Sequence, residues 1–332
     1  MRASHALIAF SVGVIPFGAA MLVGGCDPKP RPTPVAASAS STSILNMHAA
    51  RSAAPEPTVS GAPIPVRDVE AALNPRKLAP YDGPTGTIEG TVRMSGDAPS
   101  EVALKLPVAC MGAEGTYGRL FREGKNRAAA DVLIAVTGYE AYLPVKEEAI
   151  HVKIEKCAFS ARTFTLTFGQ RMEVENLDET NSFIPVLHGS RYTAFSVAVP
   201  KGRRGGVEIA SDPVRLYPHR VGQYELADNM NRPWMSADVF VLKYPTHAVT
   251  GLDGRFRIEG VPVGDVQVDA LLPSVDASGT KKATVKAGET TKVDFVLTFD
   301  QTKYDGKTRP HPIGSASAPA ASSSVPKVPL VK

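Results

Sequence analysis

The sequence predicts an all-β protein, and three observations carry that prediction. Its middle is a succession of runs of roughly four to eight residues rich in Val, Ile, Thr, Phe and Tyr, each closed by Gly, Pro, Asn or Asp. No long stretch keeps a helical period between recognisable caps. The two ends are Pro-, Ala- and Ser-rich and too poor in aromatics to bury a face, which confines folded structure to about residues 83–299.

The chain opens with "MRASHALIAFSVGVIPFGAAMLVGGC", one arginine followed by an apolar run that ends in small residues. That run is too short for a spanning helix and has the form of an export signal over 1–25. Its last tetrapeptide, Val23-Gly24-Gly25-Cys26, resembles the lipobox of bacterial lipoproteins. The resemblance implies acylation of Cys26, which would anchor the protein to a membrane without crossing it; the alternative is an ordinary cleaved signal with a chance cysteine. Asp27 after Cys26 does not decide between a periplasm-facing and a cell-surface anchor.

Residues 26–84 ("DPKPRPTPVAASASSTS", "AAPEPTVSGAPIPV") are expected to form a tether, and the weak helical pattern in "RDVEAALNPRKL" ends at a proline. The tail, 300–332, has the same composition. Net charge is +4 and spread along the chain, so a nucleic-acid partner is not expected. The one basic cluster, "KGRRGG" at 201–206, suits a solvated hairpin loop better than an anion or headgroup contact. With Cys26 assigned to lipid, Cys110 and Cys157 remain, and in an exported protein two cysteines most simply form one disulfide. No CxxC or other zinc or haem spacing exists.

The strands run in order: "GTIEGTVRMSG", "ADVLIAVTGY", "AIHVKIEKCAF", "TFTLTFGQRMEVENLD", "FSVAVP", "GVEIA", "VRLYPH", "GQYELAD" and "DVFVLKYP". After these comes "AVTGLDGRFRIEGVPVGDVQVDALLP", in which Asp253-Gly254 suits a tight turn and Phe256 and Ile258 alternate with charged residues. Thr250, Asp253, Gly254, Phe256, Ile258, Gly260, Val261 and Gly264 resemble the signature of the carboxypeptidase regulatory-like family, a small transthyretin-like β-sandwich. The resemblance implies a structural or adhesive module without catalytic residues. Such a domain opens with an I-x-G-x-V strand shortly before its hairpin. Here Ile88-Glu89-Gly90-Thr91-Val92 lies far upstream, so the sandwich is expected to be discontinuous, 85–140 plus 247–299.

The intervening segment, 146–246, resembles a cupredoxin in two places. One is the strand pair leading to Asn176-Leu177-Asp178. The other is Asn229-Met230-Asn231-Arg232-Pro233-Trp234-Met235, which falls in the frame of the C-x-x-H-P-W-M copper loop. The resemblance implies a Greek-key sandwich, inserted in or preceding the transthyretin-like one. It also implies a copper site whose ligand positions are Ser182, Asn229, Arg232 and Met235, of which only Met235 is retained. A blue-copper site needs two imidazoles and a thiolate, and a lone thioether does not hold copper. Arg232 would moreover put a permanent positive charge where the cation sits. His188, His219 and Asp228 are the residues that could rebuild a site, but none has ligand spacing. Trp234 is either a core anchor wedging the loop over the sandwich end or an exposed aromatic for stacking.

No nucleophile elbow, Walker loop or H-E-x-x-H is present. Glu147-Glu148 and Asp178-Glu179 are neighbours in turn-like composition and favour solvation over catalysis. The expectation is a non-enzymatic envelope lipoprotein without a cofactor, lipid-anchored at Cys26, that binds or scaffolds through the loops of the insert and takes a protein or glycan partner. The rivals are a copper-binding or electron-transfer cupredoxin with non-standard ligands and a spacer with no ligand at all.

Overall fold

The computed structural model describes residues 64–145, 149–189, 196–200, 202–204, 207–209 and 212–304, with backbone only for 202–204 and 207–209. All belong to one compact unit, 53–332; the other unit, 1–52, lies outside the described residues, as do the predicted signal and Cys26.

In chain order the elements are α1 (Val66–Leu73), β1 (Thr85–Gly96), α2 (Glu114–Tyr117) and β2 (Leu133–Thr137). Ten strands come next: β3 (Ala149–Glu155), β4 (Ala158–Phe159), β5 (Thr163–Thr167), β6 (Arg171–Asn176), β7 (Pro185–His188), β8 (Gly202–Arg204), β9 (Val207–Ile209), β10 (Val214–Leu216), β11 (Gly222–Asp228) and β12 (Ser236–Leu242). The chain closes with β13 (His247–Val249), β14 (Arg255–Pro262), β15 (Gly264–Leu272), β16 (Ala277–Val285), β17 (Thr290–Lys292) and β18 (Phe295–Phe299). The fold is an all-β one of packed sheets.

The first sandwich pairs sheet β4-β3-β6-β10 with sheet β5-β12-β11-β7. Alternation builds its core: Val152 and Ile154 of β3, Met172 and Val174 of β6, Tyr224 and Leu226 of β11, and Val239 and Val241 of β12 all point inward and are buried. In the second, β1 lies beside β14 on one side and runs parallel to β17 and then β18 on the other. It packs against sheet β13-β2-β15-β16 around Ile88, Val92, Ile134, Val268 and Leu297. The switch from β17 to β18 happens at Gly90, where a Cβ would lie 2.0 Å from the Val293 carbonyl oxygen. Glycine there lets β1 pass close enough to pair with both.

β2 is buried through Leu133–Val136, on both faces. One face belongs to its own sandwich; β5 of the first sandwich contacts β2 and its sheet neighbour β13, where His247 Nε2 and Thr167 Oγ1 are 3.0 Å apart. At the other end of β5 a buried ion pair bridges the sandwiches. The Asp131 carboxylate accepts two hydrogen bonds from Arg122, at 2.6 and 2.5 Å, and one from the Arg162 backbone N–H at 2.9 Å. Arg162 Nη1 in turn donates to the Arg119 carbonyl at 2.8 Å.

Three boundaries differ from the sequence expectation. The tether does not run to Pro84: α1 docks on the first sandwich, with Ile64 and Val69 buried and Ala72 and Leu73 packed against its core. Apolar residues at helical spacing find a partner surface that sequence alone does not show. Residues 97–131, between β1 and β2, form a strap rather than part of one sandwich. Its Leu104, Leu106, Cys110, Ala113 and Tyr117 pack on the first core, whereas Phe121 and Ala129 belong to the second. The tail begins later than 300, because Tyr304 packs on Phe299 with ring centroids 5.9 Å apart. Of "FSVAVP" the described part is 196–200, where Ala198 makes an isolated bridge to Phe183 and the other described residues are in no strand.

Candidate functional site

β11 and β12 are antiparallel, Ala227 opposite Ser236, so residues 229–235 form the connecting loop at one end of the first sandwich. The loop is held by its own backbone: Met235 N–H donates to the Arg232 carbonyl at 2.9 Å and Asn231 takes a positive φ of 58°. Alongside runs Ser182–Ile184, tied on where Asn229 N–H donates to the Ile184 carbonyl at 2.9 Å.

Arg232 turns into this crevice. Its Nη1 donates to Asp228 Oδ2 at 2.7 Å and to the Ser182 carbonyl at 3.2 Å, and its guanidinium carbon stands 4.5 Å from the Phe183 ring centroid. The Asp228 side chain has 0% exposure and the Arg232 side chain 13%. The second Asp228 oxygen, Oδ1, accepts the Ile184 N–H at 2.7 Å. A charge-assisted bond, a cation–π contact and a backbone bond therefore fix the cation in place. Three of the four positions implied by the copper-loop resemblance are thus engaged otherwise: Arg232 is an internal cation, Ser182 gives its carbonyl to that cation, and Met235 is 1% exposed within the core. The fourth, Asn229, is exposed.

The residues that could rebuild a site do not converge. Asp228 is at the loop but engaged by Arg232. His188 closes β7 opposite Glu225, three residues from the Pro185–Asp228 pair, or about 10 Å along the strand. His219 packs edge-on to Tyr224, ring centroids 5.9 Å apart, beyond the other end of β11. Among the described residues no three His, Cys, Asp or Glu side chains are grouped to hold a metal ion.

Trp234 packs half-buried on the core, and its indole N–H donates to the Cys157 carbonyl at 3.3 Å. This is the core-anchor role, with the polar edge satisfied. Cys157 itself is bonded to Cys110 across 47 residues, with Cα atoms 5.2 Å apart and both residues buried. The disulfide fastens the strap over the same end of the sandwich as the 229–235 loop. Lys156 and Cys157, the turn between β3 and β4, both have positive φ, 53° and 56°. The Cys157 N–H donates to Asp178 Oδ2 at 3.2 Å. Burial pushes the Asp178 carboxyl up, but bonds from Asn181, Thr180 and Cys157 outweigh it and hold the pKa below the usual value. Asp178 is thus a turn-former and Glu179 is exposed; Glu147 and Glu148 lie outside the described residues. Of the 201–206 cluster, Gly202–Arg204 form β8, paired antiparallel with β9, and residues 201, 205 and 206 lie outside the described residues.

The strap and the Asp228–Arg232 lock are what sequence reasoning missed. The lock had a signal, a carboxylate and an arginine four residues apart across a tight loop.

No protein-family model matches this chain, and no curated protein matches it. Several solved structures are similar to part of it. A reduced amicyanin mutant is 17% identical over 29% of this chain and 85% of its own, with a TM-score of 0.21. Amicyanin from Paracoccus versutus (Thiobacillus versutus) is 19% identical over 32% of this chain and 96% of its own, TM-score 0.21. A Cu-containing nitrite reductase (NirK) from Thermus scotoductus SA-01 is 12% identical over 32% of this chain and 25% of its own, TM-score 0.22. Likeness at this level carries no functional argument.

Proposed function

We propose that this protein is a non-catalytic, lipid-anchored envelope lipoprotein that binds or scaffolds, its first sandwich being a cupredoxin-like module with a guanidinium in place of copper. The single observation that supports this is Arg232 itself, bonded to Asp228 and Ser182 and stacked on Phe183. A metal cation brought to that crevice meets a fixed positive charge, and the Asp228 carboxylate beside it is already neutralised. Anchoring at Cys26 rests on the Val23–Cys26 lipobox resemblance, and the second sandwich, carboxypeptidase regulatory-like by its 250–264 motif, is the supporting module. A protein or glycan partner meets the exposed part of the loop end, where Met230 is 40% and Val197 and Val199 are 49% and 48% exposed.

The test is metal analysis and visible spectroscopy of the purified full chain after incubation with Cu(II) and Cu(I). The proposal expects no stoichiometric copper. Stoichiometric copper lost on Met235→Ala or His188→Ala would replace it with copper handling. Independently, Cys26→Ser should move the protein from the membrane to the soluble fraction, and unchanged partitioning would remove the anchor.

A further inference from the structure

A groove of about 590 Å³ lies along the strap, lined among others by Glu101, Met111, Glu114, Phe121, Glu123 and Leu252. Two of its walls are apolar side chains left in solvent, Met111 at 54% and Leu252 at 56% exposure. Both are firmly held. Met111 is the next residue after the disulfide-bonded Cys110, and Leu252 sits in the turn closed by the Gly254 N–H to Gly251 carbonyl bond of 2.9 Å. Most charges around the groove cancel in pairs: Arg119 with Glu101 at 3.6 Å, Arg127 with Glu123 at 2.8 Å, and Arg122 with Asp131. Glu114 forms no ion pair among the described residues, so the groove carries one uncompensated carboxylate between its apolar walls.

The described chain ends beside this groove. Phe121, a groove residue, stacks edge-on against Phe299 at 5.2 Å, and Tyr304 packs on Phe299 as well, at 5.9 Å. Gln301 N–H donates to Asp97 at 2.9 Å, and the Gln301 side chain bonds Ser100, the residue before Glu101. The sequence beyond Tyr304 has a composition of its own. "GSASAPAASSS", 314–324, has the make-up of a spacer, and it leads into "VPKVPLVK", 325–332, where Val325, Val328, Leu330 and Val331 alternate with two prolines and two lysines. A spacer alone has no use for four aliphatics. Pro326 and Pro329 disfavour both a helix and a strand ladder and favour an extended conformation that costs little entropy to dock. From Asp305 to Lys332 there are four basic residues, Lys307, Arg309, Lys327 and Lys332, against one acid, Asp305.

We infer that residues 325–332 dock in the groove of their own chain, laying aliphatic side chains on Met111 and Leu252 and a lysine beside Glu114. Reach is no obstacle. The 21 residues from Tyr304 to Val325 span about 25 Å as a Gly/Ser-type linker, and such a link holds the segment at an effective concentration on the order of millimolar. Docking removes two exposed apolar side chains from water and pairs the one uncompensated groove carboxylate. The segment then acts as an internal competitor for any extended basic peptide that fits the same groove.

The test compares the full chain with a chain stopped after Ser324, using the Met111 methyl resonance, titration with the synthetic peptide VPKVPLVK, and zero-length carbodiimide cross-linking. Truncation is expected to shift the Met111 methyl. The peptide should bind the truncated chain with a dissociation constant below about 0.1 mM and bind the full chain at least about tenfold more weakly, as expected of competition from a segment held at about 1 mM effective concentration. Cross-links should join Lys327 or Lys332 to Glu114 within a monomer, and Glu114→Lys should lower the peptide's affinity for the truncated chain several-fold. An unmoved Met111 methyl with equal peptide binding to both chains overturns the inference. So does cross-linking confined to a covalent dimer, which would make a second copy the occupant.

Discussion

The Asp228–Arg232 pair gives the sharpest quantitative test, because both charges are held out of water by one short loop. Truncating Arg232 to Ala leaves the Asp228 carboxylate, 0% exposed, with the Ile184 N–H still donating to it but no cation beside it. Breaking a buried pair from one side costs about 3–5 kcal/mol. Removing Asp228 instead strands the guanidinium beside Phe183 and leaves the Ile184 N–H without its acceptor, a loss of similar size. The double variant removes both charges and keeps only the packing and N–H losses. The cycle Arg232→Ala, Asp228→Ala and both, read by urea unfolding, should therefore be strongly non-additive, the double costing at least about 2 kcal/mol less than the sum. For a folded body of this size each single variant should lower Tm by roughly 6–15 °C. Additivity within about 0.5 kcal/mol would refute the reasoning and make Arg232 a surface residue in energetic terms.

Three further outcomes are expected from the same geometry. Replacing Cys110 and Cys157 together by Ala opens a closed loop of 47 residues and should cost about 4 kcal/mol on the chain-entropy estimate, with thermal unfolding of the oxidised and reduced wild type differing by the same amount. Lys156→Gly should raise the unfolding free energy by about 0.5–1 kcal/mol while Lys156→Ala leaves it unchanged, since φ of 53° penalises any Cβ. Burial pushes the His247 imidazole down to about 4 from its usual 6.5. The unfolded chain therefore binds the extra proton first, so this residue's contribution to stability is full above pH 6.5 and falls as pH drops to 4, by up to about 3 kcal/mol. Unfolding curves of wild type and His247→Gln should converge as pH falls through that window, and a constant difference would contradict it.

The features visible in the sequence and those hidden from it divide along a physical line. The strands were legible because period-two alternation is local: Val152 and Ile154, or Phe256 and Ile258, announce a buried face without help from the rest of the chain. The Cys110–Cys157 bond was legible by counting. The α1 helix was not, because eight residues cannot hold a helix in water and its stability comes from Ile64 and Val69 meeting a surface made by strands far along the chain. The Arg232 lock was half legible. The copper-loop frame located the residue, but only the fold shows Ser182, Phe183 and Asp228 arranged around its guanidinium.

The strap is where the two sandwiches become one object. It leaves the second sandwich at the end of β1, gives Leu106, Cys110 and Tyr117 to the core of the first, and returns to the second through Phe121 and Ala129. Tyr117 OH accepts the Phe159 N–H at 3.2 Å, and burial pushes its pKa well above the usual tyrosine value, so the phenol stays neutral at any physiological pH. With the disulfide, the Arg122–Asp131–Arg162 bridge and the His247–Thr167 contact, the junction holds on both ends of β5. Neither sandwich can open along this seam without exposing part of the other's core or stranding a buried charge, each worth several kcal/mol. Unfolding should accordingly show one transition for both sandwiches in the oxidised protein, with near-ultraviolet signals from Trp234 in the first and Tyr139 in the second changing together. Two separated transitions would mean that the strap covers the first sandwich without coupling it to the second.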